Sequence, residues 1–96
     1  MRYLTVDGMF AGTGIRDSIE GGYLSPSDLG LSSNLSSRLA AWVREYAAAH
    51  YAGYNDADQV ARLDLEGEKI CAAVREELPY AKVEYYSDAL MKRSLA

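Results

Sequence analysis

The chain is expected to fold as a single α+β domain over residues 1–96, with an antiparallel pair of helices layered on one face of a small sheet of two to three strands. Three features predict this. Two long segments repeat apolar residues at three- and four-residue spacing, the period of a helix, over roughly residues 34–50 and 56–78. Two short segments, near residues 3–7 and 82–87, are rich in β-formers and place alternate apolar residues on one side. Finally, 96 residues that are 49% hydrophobic and 25% charged have the ordinary globular mixture, and dividing them would leave no piece able to bury its own core.

The first strand is "YLTVD", where Leu4 and Val6 share a face. Gly8 interrupts it, and the glycines, serines and turn residues of 11–32 predict a long irregular loop, with a short strand either around Met9 to Ala11 or near Gly22 to Leu24. "SPSDLG" reads as a turn with Pro26 at its start. Helix one follows from about Asn34 to His50, capped by Ser32 or Ser33, with Leu35, Leu39, Trp42, Val43 and Tyr46 on its core face and Gly53 beyond its end.

In helix two, Val60, Leu63, Gly67, Ile70, Val74 and Leu78 form the apolar stripe. Asp56 with Gln59 three residues on has the form of a capping box; a start at Asp64, which would put Gly67 in the first turn, is the other reading. With the earlier start, Gly67 stands mid-helix at a cost of about 1 kcal/mol against alanine. Close approach of Trp42 is the expected compensation. Pro79 ends the helix. "AKVEYYS" then alternates Val83 and Tyr85 with Lys82, Glu84 and Tyr86, and "DALMKRSLA" is expected to form a last helical turn or to fray. The order is therefore β, long loop, α, α, β. Leu4, Val6, Val83 and Tyr85 should meet the helices, leaving Tyr3, Thr5 and Tyr86 on the open face. So small a sheet needs another strand, from residues 9–24 or from a partner subunit.

Charge and motif content narrow the function classes. The net charge is −4, and residues 55–88 hold nine acids against Arg62, Lys69, Arg75 and Lys82. Such a field disfavours nucleic acid and anionic membranes and attracts a cationic partner. The chain has no apolar run of membrane-spanning length, and its N-terminus meets charge and glycine too early for a signal peptide, so a cytoplasmic location is expected. The lone Cys71 reads as a small core residue. "GTGIRD" lacks the third glycine and following helix of a phosphate loop and reads as a turn. Carboxylates at 64, 66 and 68 lack the order of a calcium loop, and Asp58, Arg62 and Glu66 make a ladder on the wet side of helix two. His50 suits the negative end of helix one. No nucleophile and base are paired in the sequence, so neither catalysis, cofactor nor metal is expected.

Eight tyrosines against one phenylalanine are the most suggestive feature, because tyrosine suits half-buried positions and protein interfaces. Tyr46, Tyr51 and Tyr54 gather near the end of helix one. The candidate partner-binding residues are Tyr3, Thr5, Tyr51, Tyr54, Glu84 and Tyr86; Trp42, Gly67 and Pro79 are candidate structural residues. Three readings follow: a non-catalytic domain binding another protein, a homodimer pairing through its open sheet face, and a small-ligand or enzymatic site in the 11–24 loop.

The segments "LGLSSNLSSRLAAWVREY", "DLEGEKICAAVREELP" and "VEYYS" resemble a group of small uncharacterised bacterial proteins with L-x-L-S, L-x-x-W-x-x-x-Y, D-x-E-G, E-L-P and V-x-Y segments, over roughly residues 28–87. Those proteins look like cytoplasmic partners of secreted toxins. The resemblance implies an immunity role and carries over no catalytic residue, since its motif positions are helix stripes and caps.

Overall fold

The computed structural model describes residues 2–94. Strand β1 (Tyr3–Asp7) lies inside a four-stranded sheet, between β2 (Ile15–Asp17), antiparallel to it, and β3 (Lys82–Ser87), parallel to it; β4 (Lys92–Ser94) closes the far side antiparallel to β3. Helices α1 (Ser33–Tyr51) and α2 (Ala57–Glu77) fill the crossover from β1 to β3. The expected α+β layering is present, with hairpins at both flanks of the sheet.

Two short strands depart from expectation. β2 forms at residues 15–17 instead of 9–11, and Tyr23 in the 22–24 segment makes a single antiparallel bridge to Arg16. The reason lies in "GTGI": Gly14 turns the chain at φ 97°, its Cα facing Leu39 and Val43 where a side chain would collide, and Ile15 enters the core fully buried. The segment read as a turn is thus a turn and a strand. In the tail, Met91 at φ 54° folds the chain back, so β4 replaces the expected helical turn; Leu95 and Ala96 lie outside the described residues.

The helices follow their stripes. Ser32 caps α1 by accepting a hydrogen bond from the Leu35 N–H at 3.2 Å, and Asp56 caps α2 by accepting from Asp58 and Gln59. The Asp56 start is therefore the one taken, and Gly67 sits in the middle of a 21-residue helix. The two ends of the helix pair are clasped: Ser32 donates from its backbone N–H and its hydroxyl to the Glu77 carboxylate, at 2.6 and 2.7 Å. Those bonds hold the Glu77 carboxyl below its ordinary range. Between the helices, the Trp42 indole N–H donates to the Leu63 carbonyl at 2.8 Å. Glu66 joins Arg38 of α1 at 2.8 Å, an interhelical pair in place of the Asp58–Arg62–Glu66 ladder expected along α2.

Leu4, Val6, Ile15, Val83 and Tyr85 meet the buried stripes Leu35, Leu39, Trp42, Tyr46 and Leu63, Ile70, Val74 in one core. A Cβ built on Gly67 would fall 2.7 Å from Trp42 Cζ2 and against the Tyr85 ring as well. The predicted Trp42 contact is there, with a second ring from the sheet beside it. Pro79 follows the last residue of α2's cap, and the chain turns at 79–80 into β3.

Candidate functional site

Side chains with chemistry gather in three places. The first is beneath the helices, where Asp64 of α2 points toward β3. Its carboxylate accepts from the hydroxyls of Tyr46 at 2.8 Å, Tyr85 at 2.5 Å and Ser87 at 2.7 Å. The Tyr46 oxygen also accepts the Ala89 N–H, and Ser87 accepts the Leu90 N–H. This hub joins α1, α2, β3 and the β3–β4 turn. Its donors are hydroxyls, which spread the negative charge over three hydrogen bonds.

The second lies on the open sheet face, which is polar yet closed over. Asp7 is 2% exposed and accepts from Arg16 Nε at 2.7 Å, from the Tyr23 hydroxyl at 2.5 Å and from the Met9 N–H. Thr5 is likewise buried, sharing a 2.7 Å hydrogen bond with Ser18 and donating at 3.4 Å to Glu84, which pairs with Arg93 at 3.1 Å.

The third is an aromatic column that runs out of the core along the end of α1. Trp42 touches Tyr46 edge-on, Tyr46 touches Tyr54, Tyr54 touches His50, and His50 stacks on Phe10 at 5.6 Å with the rings 6° apart. Tyr51 stands edge-on to Phe10 at 5.1 Å and to His50 at 5.8 Å. The outer members are open: Tyr51 is 72% and Phe10 46% exposed.

The six candidate partner-binding residues fall into two groups. Tyr3, Thr5, Glu84 and Tyr86 are on the open sheet face; Thr5 is buried beneath its neighbours, Glu84 and Tyr86 are half-buried, and Tyr3 is exposed. Tyr51 and Tyr54 are on the aromatic column, where Tyr54 is half-buried and donates to Asp88 at 2.6 Å. Sequence reasoning missed Phe10 and the two carboxylate hubs. Asp64 left a usable signal, since it stands four residues after Val60, on the inner side of α2. Cys71 is buried, and burial pushes its thiol up to about 11, so it is a protonated packing residue at neutral pH.

Burial and carboxylate neighbours also raise the phenols of Tyr23, Tyr54 and Tyr85, while burial above all lifts Tyr46 to about 12. Below pH about 10 a phenol keeps its proton in both folded and unfolded chains, so the contribution to stability is complete. Above that pH the unfolded chain ionises while these four hold their protons in the fold, and stability falls as pH rises. Spectrophotometric titration is expected to show the phenolate signal of these four appearing together with unfolding in alkali. Smooth ionisation of all eight near pH 10 in a chain still folded by circular dichroism would refute the assignment.

Among the described residues no group of three His, Cys, Asp or Glu converges as a metal site, and no helix is long and apolar enough to cross a membrane. Comparison with protein-family models, with curated proteins and with solved structures gives no match to this chain.

Proposed function

We propose that this chain is a non-catalytic protein-binding domain of the immunity type, acting in the cytoplasm by covering a cationic surface of a bacterial toxin. The observation that carries this reading is the aromatic column: it ends in Phe10, His50 and Tyr51, packed ring to ring and open to solvent. Rings anchored on core residues are already ordered, so a partner that covers them loses little side-chain freedom. Asp56 and Asp58 follow in the next turn and Asp88 stands beside Tyr54. An apolar centre with a polar rim is the usual anatomy of an interface, and the acids that follow these rings in the chain fit a cationic partner. The immunity role is what the resemblance over residues 28–87 implies; the surface is argued from the rings.

Phe10→Ser and Tyr51→Ser together are expected to leave stability within about 0.5–1 kcal/mol of the parent, because both side chains are exposed. They should weaken capture of a toxin encoded beside this gene by about tenfold or more, measured by surface plasmon resonance and by protection of cells expressing that toxin. Undiminished capture by the double variant would remove the column from the interface, and failure of the parent to retain or protect against any neighbouring product would remove the toxin reading. A dimer in solution that the same substitutions dissolve would assign the column to a second copy of the chain.

A further inference from the structure

We infer that a groove at the opposite end of the sheet, where β1 and β3 begin, is a binding site for a small amphipathic acid, an apolar group carrying one carboxylate. The groove encloses about 550 Å³, within the range that small-ligand sites occupy. The inference is independent of the partner surface proposed above, since Met9 and Phe10 follow the far end of β1.

Charge is the first argument. The chain carries −4 overall, yet among the described residues the groove is lined by Arg75, Lys82 and Arg93 against Glu84 as the sole acid. That acid pairs with Arg93 at 3.1 Å and accepts from the Thr5 hydroxyl, so the excess positive charge of the lining is that of Arg75 and Lys82. A locally cationic concavity on an acidic protein draws anions to one place.

Preorganisation is the second. Arg75 reaches from α2 to the edge of β3, donating from Nε to the Val83 carbonyl at 3.0 Å and from Nη2 to the Cys71 sulfur at 3.4 Å. These bonds use two of the five N–H donors of a guanidinium and hold its plane against the groove.

The third is the apolar wall. Ile19 is 75% exposed, an unfavourable place for a β-branched aliphatic side chain, and it is held there by a tight turn. Asp17 accepts the Ile19 and Glu20 N–H groups at 2.8 and 2.9 Å, the Ser18 N–H is bound by the Tyr3 carbonyl, and Ser18 Oγ is bound to Thr5. With Tyr3 and Ala81, which line the same groove, Ile19 offers an apolar surface beside the cations. The 11–24 loop thus supplies one wall of the site and β3 and α2 supply the charge.

Titration of the isotopically labelled protein with 3-phenylpropionate, followed by amide NMR at low salt, tests the inference. Saturable shifts are expected at Tyr3, Ile19, Lys82 and Val83, with 3-phenylpropanol and acetate each binding about tenfold more weakly because one lacks the charge and the other the apolar body. Lys82→Glu and Ile19→Ser, both at exposed positions, should each weaken the acid by about fivefold to tenfold while the rest of the amide spectrum stays in place. Phe10→Ser should leave this binding unchanged whatever it does to a protein partner. Absence of saturable shifts, shifts centred elsewhere, equal binding of the alcohol or acetate, or indifference to both substitutions would overturn it.

Discussion

Gly67→Val is expected to lower stability by about 3 kcal/mol, and Gly67→Ala by about 2 kcal/mol despite alanine's better helix propensity. On an open helix the alanine exchange would gain about 1 kcal/mol. Here a Cβ would come within 2.7 Å of both Trp42 Cζ2 and Tyr85 Cζ, closer than real Cβ atoms approach a ring. Neither ring can move aside cheaply. Trp42 is held through its N–H to the Leu63 carbonyl, one turn earlier on the same helix, and Tyr85 is held through its hydroxyl to Asp64. The added carbon must therefore push α2 off the sheet or break one of these bonds. Urea denaturation checks this, with a lower midpoint at unchanged slope; for a domain of this size the valine variant should also melt roughly 15 °C lower. Parental or raised stability in Gly67→Ala would show that the rings give way and that the glycine is incidental.

The elements that were legible in the sequence are those long enough to display a period. Helices of 19 and 21 residues repeat their stripe several times, and the capping side chains of Ser32 and Asp56 mark where they begin. β1 and β3 show alternation over five and six residues. β2 and β4 have three residues each, too few to show any alternation, and they exist because a positive-φ residue, Gly14 or Met91, turns the chain back onto a neighbour. The hubs were hidden for a different reason. Asp7 gathers Arg16 and Tyr23, and Asp64 gathers Tyr46, Tyr85 and Ser87, partners separated by up to 23 residues whose meeting depends on the finished sheet. Composition did signal that tyrosines mattered, but it could not divide them. Tyr46 and Tyr85 spend their hydroxyls inside, whereas Tyr51 is left to solvent. The same division holds for the motif positions read in the sequence: Trp42, Tyr46, Asp64, Gly67 and Tyr85 pack against or hydrogen-bond one another, so those positions describe packing, and Phe10 and Ile19 of the two proposed surfaces are not among them.

Asp64→Leu is expected to be the most damaging single exchange in the chain, at about 4 kcal/mol, because it fills the space and leaves three hydroxyls without their acceptor. A buried hydroxyl without a partner costs about 1–3 kcal/mol, and Tyr46 and Ser87 recover part of theirs through the weak 3.4 Å contact they share. Asp64→Asn keeps the shape and one acceptor oxygen but loses the charge, so about 2 kcal/mol is expected. The decisive measurement is the double variant. Tyr85→Phe alone removes one charge-assisted bond and keeps the ring over Gly67; in that background Asp64→Leu orphans one hydroxyl fewer and should cost about 1–2 kcal/mol less than it does in the parent. Strict additivity of the two exchanges in urea denaturation would mean that the Tyr85–Asp64 bond contributes nothing. A carboxylate with no cation paired to it among the described residues would then have to be tolerated there for some other reason. With coupling present, Asp64 is the joint through which α1, α2 and β3 are fixed together.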